Sequence, residues 1–360
     1  MKLVFAFCAA IVVTTASTSI CAQDGRQGEA IVRANTEERA KRQEMLSVLG
    51  ALKDPANQEK ARKALADQDW YLRGQAAVAL ARANKASAAD LLPLLEDKNW
   101  FVRGSALDAL ALLGDKSVGP NVLPLLDPAD PYICARASAI LGEIGFAPAA
   151  EPLLKLLASD DEQIKRAAAE ALGALKAQAA EDSLIGLLKD DSFAVRTASA
   201  RALGAMGDSK AAAPVEAAFE DAVKRDAPDS WEYAVALYRL GNHDHIDMVI
   251  SALKSTFPDT RAGALQALTE FGDNRATSAL TDLAHPGGDS AGSSGADVAG
   301  EPFRLHLVTA LARINDGKAR AGLIGMFDDP DPEVRAAAVT GLAASLSGPN
   351  QQSASSLDVD

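Results

Sequence analysis

From residue 38 to residue 346 the chain alternates short apolar stripes with polar turns in one recurring frame. The segments Trp100–Asp115, Phe193–Asp208 and Pro258–Asp273 follow one template, and Pro332–Leu342 follows its first part. With the arginine of each segment as position zero, a leucine falls at +7, an apolar residue at +10, a glycine at +11 and an aspartate at +12. The zero positions along the chain are Arg42, Arg73, Arg103, Cys134, Lys165, Arg196, Ser230, Arg261, Arg304 and Arg335, and most are 31 residues apart. All ten carry leucine at +7. A spacing of 34 after Arg196 and of 43 after Arg261 marks two insertions. Repetition at such a period is the mark of a stacked-repeat architecture.

The apolar positions −1, +3, +7 and +10 share one side of a helix. Gly114, Gly145, Gly207, Gly241 and Gly272 fall at +11, where a helix ends in a left-handed residue. Asp115, Asp208, Asp273 and Asp316 follow, placed to cap the next helix. That helix carries a short stripe, as in Leu91–Leu95, Leu153–Leu157 and Leu184–Leu188. Each repeat is thus a predicted two-helix hairpin, about ten in all, with no strand. Rows of alanine on the second helix let neighbouring backbones approach closely. The zero-position arginine sits near a helix N-terminus, where a cation is unfavourable, so it needs an acceptor. Asp67, Asp97, Asp190 and Asp329 lie six residues before Arg73, Arg103, Arg196 and Arg335, and these pairs are predicted to be structural. The Cys134 repeat lacks both members, with Pro128 in the aspartate's place.

These features resemble the short HEAT-like repeat, the type also found in phycobilisome lyases, over residues 38–346. Ankyrin and tetratricopeptide arrays have similar periods, but their Thr-Pro-Leu-His and Trp…Leu-Gly…Tyr patterns are absent. The resemblance implies an all-α, right-handed α-solenoid with an Asp–Arg ladder between repeats. It also implies a concave groove lined by positions +1, +2, +5 and +9 of the second helices. Carried over, these are Gln75, Arg82, Asp108, Arg136, Glu143, Arg166, Glu170, Arg201, Trp231, Glu232, Arg239, Gln266, Glu270, His306 and Arg313. Six arginines there meet five carboxylates, a near-neutral groove suited to a protein or peptide or else plain solvated helix surface. Trp70 and Trp100 stand three residues before their arginines in adjacent repeats. They read either as inter-repeat packing or as an exposed anchor pair.

The formal charge of −13 over 360 residues argues against nucleic acid or anionic lipid as partner. Aromatic residues make up 5%, which speaks against a β-sandwich. Residues 1–22 read as a secretory signal: Lys2, the apolar run Leu3–Val13, then a small residue at the cut after Ala22, with Ala16 as the alternative. The run is too short for a membrane anchor, which needs about 20 apolar residues. A lipoprotein would be acylated at Cys21, but Ile20 stands where a small residue belongs. The protein is therefore expected to be exported, periplasmic or secreted. Residues 23–37 read as a linker, 285–301 as a flexible Gly/Ser-rich insertion and 347–360 as a disordered tail. Signal removal leaves Cys134 as the one cysteine, expected to be a buried core residue with no disulfide.

Catalytic patterns are sparse. His243 and His245, with Asp244 and Asp247, read as a turn with a capping aspartate rather than a metal site, because no second ligand pair stands elsewhere. The HEAT-like hydroxylases hold iron with His-Glu dipeptides, and this chain has none. No phosphate loop, nucleophile elbow or dinucleotide fingerprint occurs. The expectation is a non-enzymatic scaffold without cofactor that binds a protein or peptide, through Trp70, Trp100, Arg82, Arg136, Arg166, Arg201, Trp231, Arg239 and Arg313. The alternative is an enzyme or cofactor-binding solenoid resembling the bilin lyases or the hydroxylases.

Overall fold

The computed structural model describes residues 39–284, 301–314 and 316–346. The expected signal, linker and tail, and residues 285–300 of the insertion, lie outside the described residues. The described residues form helices and turns, with no strand among them.

The chain divides into two compact units, one ending at Val122 and one beginning at Leu123. The first holds α1 (39–50), α2 (Pro55–Ala64), α3 (Trp70–Arg82), α4 (Ala88–Leu91), α5 (Trp100–Leu113) and α6 (Gly119–Val122). The second begins with α7 (Pro131–Glu143), α8 (Ala150–Leu156), α9 (Glu162–Ala174), α10 (Glu181–Leu187), α11 (Phe193–Met206), α12 (Ala212–Lys224) and α13 (Ser230–Arg239). It continues with α14 (Ile246–Ala252), α15 (Pro258–Phe271), α16 (Thr277–Ala284), α17 (Glu301–Ile314), α18 (Gly317–Gly325) and α19 (Pro332–Leu346). The fold is an all-α solenoid of helical hairpins, as the periodicity predicts. The insertion after Arg196 falls at α12, which has 13 residues where α8 and α10 have 7.

Local chemistry sets the hairpins. Gly114, Gly207 and Gly272 end α5, α11 and α15 at φ of 63°, 76° and 61°, a conformation costly for any residue with a Cβ. Asp115, Asp208 and Asp273 then accept hydrogen bonds from the N–H groups of Ser117, Lys210 and Arg275 at 2.9, 3.0 and 2.9 Å. Asp316 does the same for Ala319 at 2.7 Å. The +7 leucines Leu141, Leu172, Leu203 and Leu237 are fully buried, each contributing about 1.5–3 kcal/mol of transfer free energy. In the second unit the second helices pack almost backbone to backbone. A Cβ on Gly142, Gly173 or Gly204 would fall 2.7, 2.6 or 2.7 Å from the Cα of Ala171, Ala202 or Ala236. Cys134 is buried as expected, and burial, reinforced by Asp127, pushes its thiol up to about 11, so it is not a reactive thiol.

The acid–base ladder is present, with a pairing that differs from the expected one. Arg103, Arg196 and Arg335 do not take the carboxylates six residues before them. Each Nη1 instead donates to the backbone carbonyl of that aspartate, at 3.0, 2.6 and 2.6 Å. The carboxylate serves the preceding hairpin. Asp97 accepts from Arg73 Nε at 2.7 Å and Nη2 at 2.9 Å; Asp67 accepts from Lys41 at 2.8 Å. Asp190 accepts from Lys165, and Asp329 lies 3.0 Å from Arg304 Nε. Arg73 shows both halves, since its Nη1 also donates to the carbonyls of Asp67 and Gln68. An arginine beginning a helix can arch back over the turn, where carbonyl oxygens outside the helix accept its protons.

Candidate functional site: a row of paired charges

The second helices of the C-terminal unit carry a row of opposite charges linked from hairpin to hairpin. Arg166 on α9 lies 3.2 Å from Glu170 one turn on. Glu170 also accepts from Arg201 on α11, and Arg201 Nη1 donates to Glu232 on α13 at 3.1 Å. Further along, Arg239 on α13 grips Glu270 on α15 with two bonds, at 3.0 and 2.5 Å. Arg201 thus stands between two carboxylates and keeps 45% of its side chain exposed. Glu232 is the most covered member, at 19%. Burial pushes its carboxyl above the usual glutamate range, and Arg201 opposes that only in part. The row is neutralised internally, held upright by its own ion pairs and open to solvent on one side.

The other residues singled out from the sequence fall in different settings. Arg136 stacks over the Tyr132 ring at 4.7 Å. Arg313 is exposed and lies alongside Gly272. Trp231 is half-buried, and its indole lies where a Cβ on Gly263 would clash at 2.7 Å. In the N-terminal unit Arg82 is exposed at the end of α3. Trp70 and Trp100 are 41% and 55% exposed, yet both meet the Phe101 ring edge-on, at 5.2 and 6.1 Å. Tyr71 stacks on the same ring at 6.2 Å, and Arg42 covers Tyr71 at 5.3 Å. Trp70 therefore packs against the next repeat, Trp100 against its own helix neighbour, and both indoles also present surface.

The histidine turn is occupied by structural contacts. His245 Nε2 lies 2.8 Å from Glu216, whose other oxygen accepts from Asn242 at 2.8 Å. His243 stacks on Tyr238 at 4.0 Å, and Tyr238 stacks on Phe271 at 3.8 Å. Here the expectation of a capping aspartate is corrected: α14 starts without a side-chain cap, and Glu216 from α12 fastens the turn instead. Among the described residues no group of three His, Cys, Asp or Glu side chains is placed to hold a metal ion. No described helix is long and apolar enough to cross a membrane.

The glutamates that complete the charge row stand on the predicted groove positions, but the positions alone do not state the pairing. The signal existed: Glu170, Arg201 and Glu232 are separated by 31 residues each, as are Arg239 and Glu270.

The profile of the HEAT repeats matches the chain at residues 30–111, 59–142, 88–173, 150–228 and 226–291. No curated protein sequence is similar enough to count as a relative. Among solved structures the chain is similar to Kap121p bound to Nup53p, at 14% identity over 81% of this chain and 39% of that one, with a TM-score of 0.51. It is also similar to the CpcE–CpcF phycocyanin lyase complex from Nostoc, at 19% identity over 80% and 94%, TM-score 0.46. Human deoxyhypusine hydroxylase follows at 15% identity over 83% and 99%, TM-score 0.32. At these identities the likeness concerns the fold alone.

Proposed function

The chain belongs to the HEAT-repeat family, and on that premise we propose that it is an exported, non-enzymatic scaffold that holds an extended protein segment along the charge row. The observation that carries this reading is the run Arg166–Glu170–Arg201–Glu232. Its charges alternate in sign and are pre-oriented by one another, so little side-chain entropy is lost when a partner arrives. Packed helices lie about 8–10 Å apart, the length of about three residues of extended chain. A segment with charges of alternating sign at every third residue matches that register. Trp70 and Trp100, on the N-terminal unit, offer large surfaces of the kind that anchor interfaces. Export rests on the signal-like residues 1–22.

The test compares the wild-type chain with the charge-reversed Arg201→Glu variant as baits in the native exported fraction. Proteins bound through the row are retained by the wild type, released by raised salt and lost from the variant, while circular dichroism shows both equally helical. A set of bound proteins unchanged by the substitution contradicts the reading, as does purified protein that carries stoichiometric metal or a chromophore.

A further inference from the structure

Between α10 and α12, on the first-helix side of the C-terminal unit, lies a cleft of about 660 Å³. Clefts of about 300–1,000 Å³ are of the size that takes a small molecule. The space exists because its walls carry small residues. A Cβ on Gly186 of α10 would meet no atom within 4 Å, and Ala217 and Ala218 of α12 line the other wall. Ile185, Leu188 and Pro214 complete an aliphatic lining. The greater length of α12, 13 residues against 7 in α10, brings Asp221 and Arg225 to the edge of the same cleft. Arg196 lines the cleft and also a small recess beside it, where the exposed Phe193 and the buried Tyr233 stand. None of the charge-row residues Arg166, Glu170, Arg201 and Glu232 lines the cleft.

One cation of this cleft lacks the partner that the ladder supplies elsewhere. Arg73, Lys165 and Arg304 each meet a carboxylate of the next hairpin, at Asp97, Asp190 and Asp329. The matching place after Arg196, six residues before Ser230, holds Lys224. Arg196 Nη1 donates to the carbonyls of Asp190 and Asp191, and the neutral hydroxyl of Tyr233 lies beside it. Among the described residues Arg196 forms no ion pair. The carboxylates around it are engaged. Lys165 and the Ser192 N–H hold Asp190, Arg225 holds Asp221 at 2.7 Å, and Thr197 donates to Asp229. Asp191 and Lys189 stand exposed at the mouth. An entering ammonium finds an open carboxylate only at that mouth. An entering carboxylate finds the remaining N–H groups of a half-buried guanidinium beside an aliphatic wall, and the fork of an arginine matches a carboxylate with two bonds.

We propose that this cleft binds a small aliphatic carboxylate. Its chain lies against Ile185, Leu188, Pro214 and Ala218, and its carboxylate sits on Arg196, where an aspartate of the next hairpin sits on the other rungs. The probe is decanoate, titrated below its micelle-forming concentration into the purified full chain and followed by calorimetry. One molecule per chain is expected to bind. Decanol and decylamine, which keep the aliphatic chain and lose the carboxylate, are expected to bind about tenfold more weakly or worse. Ala217→Trp fills the cleft from an exposed position on α12 and is expected to abolish binding with helicity and melting unchanged. Arg196→Met is expected to weaken decanoate by about tenfold or more and to leave decanol unchanged, whereas a general loss of structure weakens both. Arg201→Glu, in the charge row, is expected to bind decanoate as the wild type does, so this site and the partner reading fail separately. The absence of saturable decanoate binding overturns the proposal. Decanol or decylamine binding as tightly as decanoate overturns it too, as does decanoate binding that survives Ala217→Trp.

Discussion

The carboxylate of Asp97 accepts two hydrogen bonds from Arg73, 24 residues before it, while its own backbone carbonyl accepts one from Arg103, six residues after it. One residue thus joins two hairpins through two different groups. Arg73 is 9% exposed and Asp97 12% at the side chain, so the pair is shielded, and bidentate geometry makes it one of the stronger hydrogen-bonded types. The relation gives the stack a direction: every rung ties a hairpin to its successor.

The closest backbone approaches are expected to be the least tolerant positions. Gly173→Ala puts a Cβ 2.6 Å from the Cα of Ala202, and the helices must separate. The predicted cost is about 1–3 kcal/mol, read as a lower urea midpoint. Gly186→Ala, with no atom within 4 Å of the new Cβ, is expected to be neutral or stabilising by up to about 1 kcal/mol, since alanine is the better helix former. Equal losses at the two sites contradict the packing described.

Acid is expected to weaken the rungs. Burial pushes the carboxyls of Asp67, Asp97 and Asp190 up, but hydrogen bonds from Lys41, Arg73 and Lys165 and from backbone N–H groups outweigh it and hold all three below the usual value. Groups depressed in this way contribute stability above their unfolded value, about pH 3.9, and that stability is lost as pH falls through the folded value. The wild type should therefore lose more stability than Asp97→Asn between about pH 5 and pH 2. Parallel acid limbs for the two proteins refute the assignment.

Glu232 is expected to behave in the opposite sense. Its carboxyl is raised by burial, so the folded state holds the proton more tightly than the unfolded one. Its contribution then falls as pH rises from the ordinary glutamate value, about 4.3, through the raised one. Relative to the wild type, Glu232→Gln should gain stability between about pH 4.5 and pH 7. Urea unfolding at the two pH values decides it, and a gap that closes or stays constant excludes a raised carboxyl.

Much of this organisation is legible in the sequence because the period repeats the physics. Ten leucines at +7, glycine at +11 and aspartate at +12 fix helix, stop and cap together, and Gly114 and Asp115 behave as their positions predict. The direction of the rungs is not legible. An aspartate six residues before an arginine and 24 after another is adjacent to both, and only the arch of the Arg103 side chain onto a backbone carbonyl separates them. The charge row is half legible: the repeat register puts Arg201 and Glu232 on one face, but a contact between them needs the helix spacing. The fastening of the His245 turn by Glu216 could not be read, because it joins residues outside the repeated positions.

The direction of the ladder is tested most directly by two double-mutant cycles on thermodynamic stability, one for Arg73 with Asp97 and one for Arg103 with Asp97, each residue replaced by alanine. A coupling of about 1.5–3 kcal/mol is predicted for Arg73 with Asp97, the range for hydrogen bonds to charged groups. For Arg103 a coupling below about 0.5 kcal/mol is predicted, because its bond to the backbone carbonyl survives the loss of the Asp97 side chain. The reverse order, with the larger coupling at Arg103, contradicts the account.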